Sequence, residues 1–395
     1  MWMVWSGPGV MKSSGLFDSF LMAGFECSTH RRNDGRRLDL LESTGHARWA
    51  VNDYRQLASL GIRSVRDGLR WHLIETRPGH YDWSSFLPML RAARDCNLQV
   101  IWDICHYGFP DDLDIWRPAF VERFARFCTA VARLAREEGI EQLFYCPLNE
   151  VSFWSWAGGA VGYFNPSAQG RALELKHQLV RATIAGIDAI REQAPTARFV
   201  QCEPLINVVA GSHRVDQVNA AENYRLSQFE AFDLLTGRQW PGLGGQESYL
   251  DIIGVNFYPH NQWFHNGPKI PLGAREYRPL AGMLNEVYQR YGRPMFLSET
   301  GAEGDERAPW LAYISDQVEL AIRRGIPLEG VCWYPFLDYP GWDNDRYCAA
   351  GLLGYADGEG QRAPHHPLHL AMNAMTQRFT LQGAETAFGT DSHEG

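Results

Sequence analysis

A strand, a helix and a second strand are predicted by three consecutive segments: QVIWDI (99–104), PAFVERFARFCTAVARL (118–134) and LFYCP (143–147). The two outer segments are short and apolar, which is typical of strands that are buried on both faces. In the middle segment, Phe120, Phe124, Phe127 and Val131 recur at helical spacing behind Pro118, a favoured residue of the first helical turn. Together the three segments predict a unit in which two parallel strands are joined by a helix.

Apolar runs of this kind occur eight times along the chain, with amphipathic segments between them. The predicted strands are Leu21–Phe25, Ile62–Arg66, Gln99–Ile104, Leu143–Pro147, Arg198–Cys202, Leu250–Asn256, Met295–Ser298 and Leu328–Trp333. Eight strand–helix repeats without a clear linker favour a single (β/α)₈ TIM barrel, in the α/β class, with its active site at the carboxyl ends of the strands. A doubly wound sheet would favour a GxGxxG turn after its first strand, and Gly24-Phe-Glu-Cys-Ser is no such turn. We predict an N-terminal extension over 1–15, the barrel over 16–381 and a flexible tail over 382–395.

The composition and charge of the chain argue against a nucleic-acid-binding or membrane-spanning protein. The 395 residues include 37 Lys and Arg against 46 Asp and Glu, so the net charge is 37 − 46 = −9, and no basic run predicts a nucleic-acid partner. No apolar run approaches the roughly 20 residues of a membrane span. Eight Cys without CxxC spacing indicate buried free thiols, a reducing compartment and a cytoplasmic location. The 14 Trp are compatible either with a packed core or with a site that stacks on sugar rings.

Charged and aromatic residues follow the predicted strands at the end where a barrel carries its active site. They are Arg66 after strand two, His106 after strand three, Asn149 and Glu150 after strand four, Glu203 after strand five, Asn256 and Tyr258 after strand six, Glu299 after strand seven, and Trp333 at strand eight. A second Leu-Asn-Glu-Val at 284–287 lies within a predicted helix, so we interpret Glu286 as a surface carboxylate. Glu303, past the end of strand seven, is interpreted as a loop residue.

Two carboxylates at one barrel mouth are the minimum apparatus for hydrolysis of a glycoside. One is protonated and donates to the departing oxygen, while the other is ionised and attacks the anomeric carbon. A guanidinium and hydrogen-bond donors keep the second carboxylate charged, and Arg66 and Tyr258 are candidates for that task. Asn149 is a candidate to hydrogen-bond the sugar 2-hydroxyl.

At these positions the chain resembles the clan A retaining glycosidases, and most closely glycoside hydrolase family 1, from about Phe17 to Leu353. The matching motifs are Asn149-Glu150-Val151 for Asn-Glu-Pro, Glu299-Thr300-Gly301 for Glu-Asn-Gly, His106-Tyr-Gly-Phe-Pro110 for His-Trp-x-x-Pro, Arg66 with Trp71, Pro78-Gly79-His-Tyr81, and Gly254-Val-Asn256-Phe-Tyr258 for Gly-x-Asn-Tyr-Tyr. The resemblance implies that Glu150 is the acid/base and Glu299 the nucleophile, supported by Arg66, Asn149 and Tyr258. It also implies that His106 and Trp333 contact the glycone.

The chain departs from the family pattern at the residues that bind the sugar. The Gln near strand one is replaced by a region with Glu26, His30 and Arg31. The strand-eight loop reads Trp333-Tyr-Pro-Phe-Leu-Asp338-Tyr-Pro-Gly-Trp342-Asp343 and lacks the Glu that reads the sugar hydroxyls. The candidate substrate-binding residues are therefore His106, Asn256, Trp333, Glu26, Asp338, Trp342 and Trp154, the last of which is placed to stack on an aglycone together with Trp156.

The sequence thus predicts a retaining β-glycosidase that acts on a small glycoside or oligosaccharide and needs no metal or other cofactor. One alternative is a transglycosidase that passes the glycosyl unit to an alcohol. Another is an inactive carbohydrate-binding barrel, although both carboxylates and Arg66 are retained. A metal-dependent barrel hydrolase is a third, but the strand ends supply a single His.

Overall fold

The computed structural model describes residues 15–140 and 142–388, and its centre is a closed barrel of eight parallel strands. The strands are β1 Leu21–Gly24, β2 Ser64–Gly68, β3 Gln99–Cys105, β4 Phe144–Leu148, β5 Arg198–Pro204, β6 Ile252–Asn256, β7 Met295–Thr300 and β8 Leu328–Trp333. Each strand pairs in parallel with its neighbours in chain order, and β8 pairs with β1 to close the ring. The predicted TIM barrel is confirmed, and all eight predicted strands lie within two residues of the observed bounds.

Eight helices alternate with the strands and cover the barrel. They are α1 His46–Ser59, α2 Leu87–Asp95, α3 Pro118–Glu137, α4 Ala172–Gln193, α5 Glu230–Leu235, α6 Leu280–Tyr291, α7 Arg307–Arg323 and α8 His366–Phe388. Pro118 opens α3 as expected, and Gly292 ends α6 in the left-handed conformation with φ 60°. A 3₁₀ turn at Trp83–Ser85 precedes α2.

Shorter elements fill the connections. The additional helical segments are Leu40–Ser43, Trp71–Ile74, Val151–Trp154, Ser155–Ala160 in π geometry, and Val215–Leu226. Further 3₁₀ turns occur at Ser227–Phe229, Pro241–Leu243, Glu247–Tyr249 and Gly304–Glu306. Two-stranded ribbons pair Glu75–Arg77 with His80–Tyr81, Asn207–Val209 with Gln262–Phe264, Tyr339–Pro340 with Tyr347–Cys348, and Leu353–Ala356 with Arg362–Pro364. Most of these segments follow the carboxyl ends of barrel strands and therefore build the mouth.

The barrel interior is apolar at its amino-terminal end. Phe17 precedes β1, and its ring centroid lies 5.6 Å from that of Phe144 on β4 and 4.9 Å from that of Phe296 on β7. The same cluster contains Met22, Ile101, Cys146, Val200, Cys202, Ile252 and Cys332. Because Phe17 is only 2% exposed, it closes this end of the barrel.

A buried network of charges joins α1 to β2 and to the ribbon before α8. His46 lies between two carboxylates, with Nδ1 2.7 Å from Asp53 Oδ2 and Nε2 2.8 Å from Asp67 Oδ2. The Arg362 guanidinium donates to Asp53 Oδ1 at 2.6 Å, and the Tyr54 hydroxyl donates to Asp67 at 2.5 Å. Burial opposes protonation of His46, but the two carboxylates outweigh it and raise its pKa to about 9. At neutral pH the network therefore holds two cations and two anions.

The structure describes part of the predicted terminal segments and all eight cysteines. Helix α8 takes in residues 382–388 of the segment predicted as a tail, while 1–14 of the extension and 389–395 of the tail lie outside the described residues. All eight cysteines are free, and all but Cys96 are buried. The reducing, cytoplasmic setting stays a prediction. Within the described parts of the chain, the helices are too short or too polar to cross a membrane.

Candidate active site

A cavity of about 1430 Å³ opens at the carboxyl ends of the barrel strands. Six of the predicted site residues line it, namely Glu26, His106, Glu150, Tyr258, Glu299 and, from the loop after β8, Trp342. Aromatic side chains from other mouth segments also line it, among them Phe153, Trp156, Tyr163, Tyr224, Trp263, Tyr334 and Tyr339. Polar groups at one point and apolar walls elsewhere are the usual features of a small-molecule site.

Glu150 follows β4 and occupies the residue before the helical turn Val151–Trp154. Its φ of 45° places it in the left-handed region, which few residues other than glycine adopt. Its carboxyl Oε1 accepts a hydrogen bond from Asn256 Nδ2 at 2.8 Å, and Oε2 accepts one from the Tyr107 hydroxyl at 2.5 Å. The carboxyl group is therefore held in one orientation by two donors.

Glu299 lies near the end of β7 and is paired with a guanidinium. Arg66 Nη1 donates to Glu299 Oε1 at 3.0 Å, and the Tyr258 hydroxyl donates to Oε2 at 3.0 Å. The other end of the same guanidinium donates to Asp103 Oδ2 at 2.7 Å and to Asn149 Oδ1 at 3.0 Å. Arg66 is fully buried, so its charge acts on Glu299 in a poorly screened environment.

Two bridging residues bring the carboxyl groups together, although they are 149 positions apart in the chain. Asn256 on β6 pairs in register with Glu299 on β7, and its side chain reaches Glu150. Arg66 contacts Glu299 directly, and it also contacts Asn149, the residue before Glu150. Both acids consequently face one cavity, as the sequence predicted.

The surroundings of the two acids differ in a way that separates their protonation. Burial, and then the charge of Glu299, raise the pKa of Glu150 to about 8 despite the hydrogen bonds from Tyr107 and Asn256. Burial also raises the pKa of Glu299, but the charges of Arg66 and His106 oppose that rise. At neutral pH we therefore assign the proton to Glu150 and the negative charge to Glu299.

Tyr107 and Asp103 were not identified from the sequence as site residues. Tyr107 is buried at φ 67°, and its hydroxyl oxygen accepts from Asn149 Nδ2 at 3.1 Å while donating to Glu150. Its place directly after His106 at a strand end was an available signal, but its left-handed backbone has no sequence signature. Asp103 contacts both Arg66 and His106, and its position as a charged residue inside an apolar strand was the available signal.

We expect Glu150 to stay protonated to higher pH in the Tyr107→Phe variant. The Tyr107 hydroxyl stabilises the ionised form of Glu150, so its removal raises the pKa of that carboxyl above about 8. The alkaline limb of the pH profile of kcat/KM, which reports the loss of the proton on Glu150, should move upward. We also expect kcat to fall by about tenfold because the acid is less well oriented. An alkaline limb that stays in place or moves downward would contradict this role.

The remaining sequence candidates lie behind the cavity wall rather than on it. Trp333 and Trp154 are fully buried, and their indole nitrogens donate to the carbonyl oxygens of Ala350 and Asn165. The Asp338 carboxylate accepts hydrogen bonds from the amide of Gly351 and the hydroxyl of Tyr347. Asn256 is 1% exposed and is engaged by Glu150. Substrate contact by these four residues stays a prediction without support from their positions.

One group of side chains in the described residues has the spacing of a metal site. Donor atoms of Cys27, Asp103 and His106 lie within 4.8 Å of one another, and all three residues are buried. However, Arg66 Nη2 already donates to Asp103 Oδ2 at 2.7 Å. A guanidinium at that distance places a positive charge beside the position that a cation would take, so these residues fit a metal ion poorly.

Comparison with known proteins identifies relatives in fold alone. No family model and no curated protein matches the chain. Among solved structures, a family 1 β-glucosidase from Thermotoga maritima has a TM-score of 0.73 at 16% identity and covers 91% of this chain and 98% of its own. A β-glycosidase from Pyrococcus horikoshii has a TM-score of 0.71 at 16% identity, covering 84% and 85%. The AHE enzyme from Alicyclobacillus herbarius has a TM-score of 0.71 at 18% identity, covering 84% and 88%. The chain therefore shares its fold with these proteins.

Proposed function

We propose that the protein is a retaining β-glycosidase and a divergent member of the family 1 type. The observation that carries the proposal is the pair Glu150 and Glu299 in one cavity, with the second carboxyl held against Arg66. Burial and the charge of Glu299 raise the pKa of Glu150, which favours a proton on that residue. Two carboxyls in such unlike surroundings are the groups that double displacement at an anomeric carbon requires.

In the first step, the Glu299 carboxylate attacks the anomeric carbon while Glu150 protonates the departing glycosidic oxygen. The products are a free alcohol and a glycosyl ester on Glu299. In the second step, Glu150, now ionised, takes a proton from water as the water oxygen attacks the same carbon and releases Glu299. Arg66 and the Tyr258 hydroxyl stabilise the leaving carboxylate. Asn149, the predicted contact of the 2-hydroxyl, is fully buried and hydrogen-bonded to Arg66, His106 and Tyr107, so it acts by positioning these groups.

The proposal is tested by a panel of 4-nitrophenyl glycosides with product stereochemistry followed by NMR. We expect turnover of at least one β-glycoside, with the β-anomer of the sugar as the first product. Inversion at the anomeric carbon would contradict the covalent mechanism. Calorimetric sugar binding without any turnover would instead support an inactive carbohydrate-binding barrel.

A transglycosidase is favoured as a second candidate by the cavity wall beyond Glu150. Trp156 lines the cavity with 42% of its surface exposed, and Phe153 lies beside it with a ring-centroid separation of 5.8 Å. Such a wall suits an apolar alcohol in place of water. Turnover in the presence of increasing hexanol should then give alkyl glycoside at the expense of free sugar, whereas a hydrolase gives mainly free sugar.

A further inference from the structure

Glu26 places a third buried carboxyl group in the cavity, beside those of Glu150 and Glu299. It follows β1, lines the cavity and is 8% exposed. Its Oε1 accepts from the backbone amide of Ser28 at 3.0 Å, which is the one hydrogen bond that Glu26 makes within the described residues. Most of its capacity to accept hydrogen bonds is therefore directed to whatever occupies the cavity.

No cation in the described chain makes a direct hydrogen bond with Glu26. The nearest cationic partner is His106, whose Nε2 lies 4.0 Å from Glu26 Oε1. That nitrogen also lies 3.1 Å from Asn149 Nδ2, and the other ring nitrogen is 3.0 Å from Asp103. Arg66 is shared between Asp103 and Glu299. The acidic side chains that meet here, those of Glu26, Asp103 and Glu299, thus outnumber the two cationic ones, Arg66 and His106.

A second polar group in the same cavity also lacks a partner. Tyr334 is 1% exposed, lines the cavity, and its hydroxyl makes no hydrogen bond in the structure. Its ring lies parallel to that of His106, with the centroids 6.2 Å apart. The ring occupies space that exists only because residue 24 is glycine, since a Cβ at that position would lie 2.1 Å from a Tyr334 ring carbon. The hydroxyl oxygen is itself buried and has no hydrogen-bond partner among the described residues, so the tyrosine contributes its ring rather than its oxygen to the cavity wall.

We propose that Glu26 is a specificity-determining residue that selects a glycone carrying a protonated amino group in place of one hydroxyl. This inference rests on the proposed function. An ammonium group offsets this excess of acidic side chains, which a neutral hydroxyl does not. It supplies charge-assisted hydrogen bonds to the Glu26 carboxylate. Buried carboxylates that lack a cationic partner are costly, so the ligand that supplies one gains the difference.

The test compares 4-nitrophenyl β-D-glucoside and β-D-galactoside with their 2-, 3-, 4- and 6-amino-deoxy analogues at pH 6. We expect kcat/KM for at least one amino glycoside to exceed that of its parent by about tenfold or more. Glu26→Gln, which keeps the shape and removes the charge, should abolish this preference mainly through KM. Glu26→Asp keeps the charge and should retain part of the preference.

Glu303→Gln is the matched control, because it removes a carboxylate from the cavity rim that is already paired with Arg346 at 2.6 and 2.7 Å. The ratio of amino to neutral substrate should stay within about twofold, since exposed charges are screened. Preference of the wild-type enzyme for the neutral parents, or an unchanged ratio in Glu26→Gln, overturns the inference while the proposed function stands. If neither class is turned over, the proposed function fails. Calorimetry with the same glycosides then decides: tighter amino-glycoside binding that Glu26→Gln removes supports the inference, and equal binding overturns it.

Discussion

Replacing Glu299 with Gln is expected to lower kcat by roughly 10⁴-fold or more, because the amide can neither attack the anomeric carbon nor form the glycosyl ester. The substituted side chain keeps its size, its amide oxygen can still accept from Arg66, and its amide nitrogen can donate to the Tyr258 oxygen, so the cavity should keep its shape. The measurement is kcat on an activated aryl β-glycoside, with binding of the free sugar as a check that the site is intact. Unchanged turnover would eliminate the assignment of Glu299 as nucleophile.

A smaller substitution supplies the positive control. Azide should restore turnover to the Glu299→Gly enzyme, because the small anion enters the space left by the side chain and attacks the anomeric carbon from the same face. The product should be the α-glycosyl azide, since a single displacement inverts a β-glycoside. Glu303→Gln, at the other carboxylate near β7, should leave kcat within a few-fold of the wild-type value. Azide rescue at Glu303 instead would assign the nucleophile there.

Replacing Arg362 with Met is expected to lower the free energy of unfolding by about 3–5 kcal/mol. The guanidinium is fully buried and donates two hydrogen bonds to Asp53, so its loss leaves a buried carboxylate with His46 as its remaining cation. Arg362 does not line the cavity, so the substitution should act on stability. Urea denaturation followed by circular dichroism measures the change.

Two further variants separate lost charge pairing from lost packing. Asp53→Asn in the Arg362→Met background removes the unpaired charge and should recover part of the stability, which gives a coupling energy by double-mutant cycle. Arg378→Met breaks the surface pairs with Asp316 and Glu319 and should cost less than about 1 kcal/mol. Equal costs for Arg362→Met and Arg378→Met would contradict the importance of the buried network.

The barrel was predictable because each strand is an apolar run buried on both faces, and the carboxyl ends of such strands meet at one mouth. That rule was sufficient to place Glu150 and Glu299 in one cavity from positions far apart in the chain. It also placed Arg66 and Tyr258 beside Glu299, because the hydrogen-bonding reach of a strand-end side chain covers its neighbours in the ring.

The residues predicted to contact the sugar were located less well. The position of a strand end does not predict where the side chains of the following loop point. Trp333 and Trp154 lie at suitable points of the chain, but each indole turns towards a backbone carbonyl and packs in the core. Asp338 is held by Tyr347 and Gly351 within a loop whose path follows from ribbon pairing rather than from a periodic pattern. Tyr107 reaches Glu150 from a left-handed backbone conformation, with φ 67°. A tyrosine in the sequence does not predict that conformation.

Phe17 packs against Phe144 and Phe296 at the amino-terminal end of the barrel and keeps that end apolar. The Arg66–Asp103 pair lies inside the barrel with almost no exposed surface. In such a medium of low polarisability, a guanidinium exerts a field on Glu299 that bulk electrolyte hardly attenuates. The ring of one phenylalanine at the far pole of the molecule therefore helps to insulate the chemistry from the ionic strength of its surroundings.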